Sequence, residues 1–195
     1  MTQENQSHME SRVLALHRRL AEDGDIQARY FMGVRYYYGI GVKVNMREAL
    51  SWFRLAAEQG DSDAQYHVAM GRDFVGDENY LSTEEAIGWL RKAAEQGNIR
   101  AQIELANQYA SGIDVARDLE EAFRWYLKAA EQGDAGAQYK IAILYHKAEG
   151  VALNYTEAVR WMKQAAEREA DPVKFDRALN YYLHALETEY TDSPE

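Results

Sequence analysis

Few residues of this chain have the types and spacing that chemistry requires. His146 and Glu149 are three apart on a predicted helix and could supply two metal ligands, but two ligands do not make a closed site. The neighbouring acids Glu84–Glu85 and Glu120–Glu121 could suggest acid–base catalysis, but adjacent helical residues point in different directions, and first-turn acids suit the helix dipole. No phosphate-binding glycine loop follows a strand, and no Gly-x-Ser-x-Gly motif occurs. We therefore predict no catalytic residue, no metal and no cofactor, and we expect that the protein is not an enzyme.

Aromatic side chains offer a different kind of chemistry, the binding of a partner. They occur as Tyr30–Phe31, as the run Tyr36–Tyr38, and as Tyr66 beside His67. Rings with a polar tip are enriched where proteins bind one another, because they bury a large apolar area and still make a hydrogen bond. Whether these rings share one surface depends on the elements that carry them.

Those elements belong to a sequence repeat. LAAEQGD ends at Asp61, KAAEQGN at Asn98 and KAAEQGD at Asp134, and a degraded fourth copy runs over residues 164–171. One tryptophan marks each copy, at separations of 37, 36 and 36 residues: Trp52, Trp89, Trp125 and Trp161. The tryptophans lie beside paired alanines on an apolar stripe with helical spacing, so we predict that they pack in a core. A period of this length indicates a helical repeat array.

Each repeat is predicted to contain two helices with recognisable ends. The first helices follow the N-capping residues Asp25, Asp61, Asn98 and Asp134. The second helices follow the caps Asn45, Ser82, Asp118 and Asn154. A glutamate lies three residues after each second cap, the spacing of a capping box: Glu48, Glu85, Glu121 and Glu157. Gly133 follows a last helical turn, where glycine enters the left-handed region without steric cost.

Composition limits the classes of partner and compartment. A net charge of −10 disfavours nucleic acid and anionic membranes as partners. No run of apolar residues is long enough to span a bilayer, and cysteine is absent. The N-terminal stretch MTQENQSHMESR lacks the basic and apolar regions of a signal peptide. We expect a cytoplasmic monomer, or a periplasmic or secreted protein if a leader has been removed from the native chain.

The repeats resemble the Sel-one-like repeat family, relatives of the tetratricopeptide repeats. The resemblance rests on the YYYGIGV loop at Tyr36–Val42, on the second-helix pattern Ala-x-x-Trp…Ala-Ala-Glu-Gln-Gly, and on alanine–glutamine pairs that open first helices. These pairs are Ala64–Gln65, Ala101–Gln102 and Ala137–Gln138. Arg29 replaces the glutamine in the first repeat, and Arg72 replaces a tyrosine in the second. The resemblance implies non-catalytic binding of other proteins, as an adaptor, scaffold or regulator.

We predict an all-α fold, a right-handed α-solenoid superhelix of tetratricopeptide-like helix-turn-helix repeats with about ten helices. One solenoid is expected over residues 11–189, with flexible tails at 1–10 and 191–195. Its parts are a cap helix at 11–24, repeats at 25–60, 61–97, 98–133 and 134–170, and a closing helix at 172–189.

If the array coils as tetratricopeptide arrays do, its first helices line a concave groove in which another protein binds. Arg35 and Arg72 could orient an acidic group there; alternatively, some rings fill space between helices, and Arg72 only replaces a core tyrosine. The predicted partner-binding residues are Tyr30, Phe31, Val34, Arg35, Tyr37, Tyr38, Tyr66, His67, Met70, Arg72, Phe74, Tyr139, Ile143 and His146. The anchor is expected in the first two repeats, which supply most of the rings.

Two roles stay open at this point. The first is an adaptor that holds a protein or peptide segment in the groove. The second is a dedicated inhibitor, such as an immunity protein that occludes a toxin enzyme, where the acidic charge of the chain would suit a basic partner.

Overall fold

A computed structural model of the protein describes residues 3–75 and 81–168, with side chains over 12–71 and 81–167. Within these ranges it contains nine α-helices and no strand. The helices are α1 (Gln3–Glu22), α2 (Ile26–Tyr38), α3 (Met46–Ala57), α4 (Ser62–Val75), α5 (Thr83–Glu95), α6 (Ile99–Ser111), α7 (Leu119–Glu131), α8 (Ala135–Lys147) and α9 (Tyr155–Arg168). They fall into two compact units, Met1–Asn98 with α1–α5 and Ile99–Glu195 with α6–α9.

Polar caps start these helices where the sequence predicts. The Asp25 carboxylate accepts from the amide of Ala28 at 2.7 Å, and the Asp134 carboxylate accepts from the amide of Ala137 at 2.8 Å. Side-chain oxygens of the same kind cap α3, α4, α5, α7 and α9, from Asn45, Asp61, Ser82, Asp118 and Asn154. Each bond satisfies an amide that an α-helix leaves without a partner at its start. The predicted helix starts are confirmed.

The reciprocal half of the capping box forms at Glu85, whose carboxylate accepts from the amide of Ser82 at 3.0 Å. The hydrogen bonds from Ser82 hold the pKa of Glu85 below its usual value. The other three glutamates instead accept from a donor in the next turn, in the pairs Glu48–Trp52, Glu121–Arg124 and Glu157–Arg160. The expectation of a shared capping box was wrong for these three, because their cap amides already donate to backbone carbonyls of the preceding helix, those of Tyr36, Tyr109 and Tyr145.

The second helices α3, α5 and α7 end at glycines with left-handed backbone angles, Gly60, Gly97 and Gly133. Gly133 has φ 93°, its amide donates to the carbonyl of Ala130, and the amide of Asp134 donates to the carbonyl of Ala129 at 3.2 Å. These bonds satisfy the last carbonyls of α7 and turn the chain into α8. The paired alanines therefore contribute backbone carbonyls as well as small side chains.

In the N-terminal unit, each helix packs against the next along the chain. The fully buried side chains between them include Leu50 and Phe53 of α3, Val68 of α4 and Leu81 before α5. Trp52 and Trp89 are only half-buried, so here the predicted core tryptophans lie at the margin of the core.

In the C-terminal unit, α6 packs on α7, α7 on α8 and α8 on α9. Leu105, Ile141 and Met162 are fully buried. Trp125 and Trp161 are 8% and 6% exposed, as their predicted core position requires.

A set of hydrogen bonds, which we call the glutamine relay, connects the second repeat to the first and the fourth repeat to the third. The amide nitrogen of Gln65 donates to the carbonyl of Ala57 at 3.1 Å, and its oxygen accepts from Gln96 at 2.7 Å. The corresponding bonds in the C-terminal unit are Gln138–Ala130 and Gln102–Gln132. The relay bonds both polar atoms of the buried Gln65 amide, and it fixes the start of the second and fourth repeats against the end of the repeat before.

Arg29 performs the same function in the first repeat, where it stands in place of the glutamine. Its Nε donates to the carbonyl of Ala21 at 3.0 Å. The amide of Gln59, with its oxygen towards the arginine, accepts from the guanidinium. The substitution therefore preserves the relay at the junction with α1.

The N-terminal helix α1 begins at Gln3 rather than at residue 11, because QENQSHMESR contains no proline or glycine to end a helix. The closing helix and the tail at 191–195 lie outside the described residues, and the single solenoid over 11–189 stays a prediction. In the part of the chain that is described, no helix is long and apolar enough to cross a membrane.

Candidate partner-binding site

Six of the predicted binding residues form what we call the aromatic cluster, on α2 and α4 of the N-terminal unit. They are Tyr30, Phe31, Tyr37, Tyr38, Tyr66 and His67. Helical residues seven apart lie on the same face, so α2 can present four rings together.

His67 forms the floor of the aromatic cluster. It is 9% exposed, and its ring stacks on Phe53 with 4.4 Å between centroids and 8° between planes. The rings of Tyr30, Tyr37 and Tyr66 surround it at 6.1, 5.6 and 5.7 Å. Each ring contact of this kind stabilises a protein by about 0.5–1.5 kcal/mol beyond the burial of apolar area. The contacts of His67 with the neighbouring rings therefore hold it in place.

The small residue Gly33 makes this floor possible. A β-carbon at Gly33 would lie 2.5 Å from Cδ1 of Phe53. Alanine occupies the equivalent position in the other repeats, at Ala69, Ala106 and Ala142. The first repeat thus combines a glycine with a phenylalanine, and the Phe53 ring lies flat between α2 and His67.

Two rings of the aromatic cluster are open to solvent. Phe31 is 46% exposed and stacks on His17 of α1, with 5.7 Å between centroids and 13° between planes. Tyr38 is 62% exposed and meets the edge of Tyr37 at 4.8 Å. The cluster therefore has a packed floor and two exposed rings at its surface.

Other predicted residues on α2 and α4 have different environments. Val34 packs against the core of the unit, and Met70 is half-buried. Arg35 donates from its guanidinium to the carbonyl of Ile40 at 3.1 Å and so holds the loop after α2. Arg72 and Phe74 lie in the last turn of α4, and their side chains are outside the described residues.

The remaining three predicted residues lie in the C-terminal unit. Tyr139, Ile143 and His146 follow one face of α8 and are half-buried. The ring of His146 meets that of Tyr155 at 5.5 Å and 62°. They form a narrow stripe rather than a group of several open rings.

The equivalent face of the third repeat is polar and internally bonded. Tyr126 donates to the side-chain oxygen of Asn107 at 2.5 Å, and the amide nitrogen of Asn107 donates to Glu104 at 3.4 Å. Burial raises the pKa of the Tyr126 phenol, and the negative charge of Glu104 adds to the shift. These polar groups are satisfied within the unit and offer little to a partner.

Among the described residues, no group of three or more histidine or acidic side chains converges as metal ligands would. Burial raises the pKa of the Tyr145 phenol, with a further contribution from Glu157 partly opposed by Arg160. Its ring packs edge-on against Phe123 at 5.2 Å, which is a structural contact.

Sequence reasoning missed two residues of the site, Phe53 and His17. Phe53 forms part of the floor, and His17 stacks under Phe31. The signal was present, because the two residues occupy the same repeat position, one on α1 and one on α3. His17 stacks on Phe31, three residues after Ala28, and Phe53 stacks on His67, three residues after Ala64.

These paired helices, joined by glycine turns, define an all-α repeat protein of the solenoid class. A model of the Sel1 repeat matches residues 26–61, 62–98, 99–134 and 135–169, so the chain belongs to the Sel1 repeat family. The predicted family and fold class are confirmed. A comparison with curated protein sequences gave no significant match.

Three solved structures illustrate the similarity. A protective antigen of uropathogenic Escherichia coli with an SLR fold is 32% identical, with a TM-score of 0.77 over 88% of this chain and 36% of that one. A Sel1 repeat protein from Oxalobacter formigenes is 32% identical, with a TM-score of 0.73 over 81% of this chain and 65% of that one. An immunity protein from Pseudomonas aeruginosa, at 21% identity and a TM-score of 0.51 over 80% of this chain and 57% of that one, shares the fold. The chain thus spans about a third and just under two thirds of the first two proteins.

Proposed function

We propose that the protein is a non-catalytic adaptor that binds a segment of another protein on the aromatic cluster. The observation that carries this proposal is the exposure of Phe31 and Tyr38 above a floor that is already packed. The floor is already packed without a partner, so a partner that covers the two rings gains apolar burial at a small ordering cost. Binding energy usually concentrates in a few such anchors.

The contrast with the third repeat supports the same location. In the third repeat, Asn107 occupies the position that Val34 has in the first repeat. The side-chain oxygen of Asn107 already accepts a hydrogen bond from Tyr126. A partner there would have to replace existing hydrogen bonds, whereas the open rings of the cluster have only water to displace.

The experiment has two stages. Affinity capture from the native organism with quantitative mass spectrometry compares the wild-type chain with Phe31→Ala/Tyr38→Ala and with the control Ile113→Ala, whose residue is 79% exposed on a loop. Candidates lost only with the cluster variant are purified, and their affinity is measured by calorimetry. We expect the double variant to weaken binding at least about 30-fold, the hot-spot threshold of about 2 kcal/mol, and Ile113→Ala to have little effect.

Equal affinities for the wild-type chain and the double variant would refute the proposal. If the partner is an enzyme whose activity falls on binding, the adaptor role is wrong and the protein is an inhibitor. The Pseudomonas aeruginosa neighbour is named an immunity protein, but at 21% identity it supports the fold alone. The activity assay therefore decides between these roles.

A further inference from the structure

The two open rings of the aromatic cluster lie on one helix at a defined separation. Phe31 and Tyr38 are seven residues apart on α2, which is two turns, or about 10.5 Å along the helix axis. A partner segment that covers both must therefore place two side chains about that far apart.

Lysine side chains cover two rings elsewhere in this chain, the half-buried Trp89 and the buried Trp125. The ammonium of Lys92 lies 4.3 Å from the ring centroid of Trp89, and that of Lys128 lies 3.9 Å from the ring of Trp125. In both cases the cation comes from three residues further along the same helix. The residue three after Phe31 is Val34, and the residue three after Tyr38 is Gly41. Neither open ring can therefore receive a cation in this way.

Charges of both signs lie near the aromatic cluster. The two basic residues of α2 direct their guanidinium groups at backbone carbonyls, Arg29 at that of Ala21 and Arg35 at that of Ile40. The exposed carboxylate of Asp63, which accepts from Asn98 at 2.8 Å, lies one turn before Tyr66 and His67 on α4. The chain as a whole carries a net charge of −10, which attracts a basic segment.

From this geometry we infer that the segment bound on the aromatic cluster is basic, with two arginine or lysine side chains lying over Phe31 and Tyr38. The inference rests on the proposed function, because it names the chemistry of the partner segment at that site. The electron-rich ring faces attract the cations, and arginine is preferred because its planar group also stacks. In an extended, polyproline-like segment, residues three apart lie on one side about 9 Å apart, close to the separation of the rings.

The probe is a synthetic twelve-residue peptide with two arginines three residues apart, compared with the same peptide carrying neutral citrulline in their place. Binding to the full chain is measured from amide chemical shifts of α2 during NMR titration. Two exposed cation–ring contacts predict an affinity about 5- to 30-fold higher for the arginine peptide. Equal affinities of the two peptides, or shifts that do not saturate on α2, would overturn the inference.

A matched pair of variants separates this inference from the proposed function. Phe31→Leu/Tyr38→Leu keeps apolar side chains but removes the ring faces, and should abolish the arginine preference. Tyr139→Leu, a ring removed from the C-terminal unit, should preserve it, and thermal unfolding monitors folding of both. If the captured partner is lost with the alanine variant but binds the leucine variant as it binds wild type, the adaptor site stands and the cation inference fails.

Discussion

Gly33 is the residue whose substitution tests the packing of the aromatic cluster most directly. An added methyl group would lie 2.5 Å from Cδ1 and 2.6 Å from Cε1 of Phe53. Carbon atoms attract best at about 3.5–4 Å, so the ring would have to move by roughly 1 Å. That movement would take Phe53 out of its stack on His67, whose centroid is 4.4 Å away.

Two opposing contributions set the change in the free energy of unfolding that Gly33→Ala causes. Forcing a methyl group into a packed core costs about 1–3 kcal/mol, whereas replacing a helical glycine by alanine gains about 0.5–1 kcal/mol. The free energy of unfolding should therefore fall by about 1–2 kcal/mol. In the Phe53→Leu background the methyl group has room, so the same substitution should become neutral or stabilising, with a coupling energy of about 1–3 kcal/mol.

Urea unfolding followed by circular dichroism measures these free energies for the wild type, the two single variants and the double variant. The control is Gly88→Ala in α5, since a β-carbon there meets no atom within 4 Å. That change should raise stability by about 0.5–1 kcal/mol through helix propensity alone. If Gly33→Ala stabilises as much as Gly88→Ala, or if its effect is additive with Phe53→Leu, the packing of Phe53 against α2 is wrong.

Three further predictions concern the C-terminal unit and use the same unfolding assay. Trp125→Ala should lower the free energy of unfolding by about 3–5 kcal/mol, because it removes a large buried ring, and a loss below 1 kcal/mol would contradict its core position. Ala148 has φ 54°, so Ala148→Gly should raise stability by about 1 kcal/mol, whereas Gly112→Ala at the equivalent helix end should lower it. Tyr126→Phe should cost about 1 kcal/mol at neutral pH, because Asn107 loses its hydrogen bond. Burial raises the pKa of Tyr126, so the stability linked to its neutral phenol is complete below the unfolded pKa of about 10 and is lost as the pH rises through the folded value. The melting temperature of the wild type should accordingly fall more steeply above pH 10 than that of Tyr126→Phe, and parallel curves would refute this assignment.

Features that depend on neighbouring residues along the chain could be predicted from the sequence. The caps at Asp25 and Asp134 and the left-handed turn at Gly133 involve residues within one turn of each other. Their chemistry is independent of how helices pack, and the periodic repeats provide several copies of the same signal.

Features that depend on competition or packing between helices could not be predicted. Glu48 has the spacing of a capping partner, but the amide of Asn45 already donates to the carbonyl of Tyr36 in the preceding helix, and Glu48 accepts from the indole of Trp52 instead. His67 was predicted to face a groove, and its exposure is only 9% because Gly33 allows the Phe53 ring to lie against it. The sequence suggests that Arg35 could orient an acidic group of a partner, but its guanidinium donates to the loop carbonyl of Ile40.

The glutamine relay has a consequence for how such a chain can change length during evolution. Gln65 and Gln96 belong to the same repeat, and Gln65 donates to a backbone carbonyl of the preceding repeat, that of Ala57. A main-chain carbonyl is present whatever the side chain, so a duplicated repeat would bring its own connector and find an acceptor ready. Arg29 shows that even the donor can be exchanged without loss of the bond. This hydrogen bond would therefore survive the gain or loss of a whole repeat without a matching substitution in the neighbour.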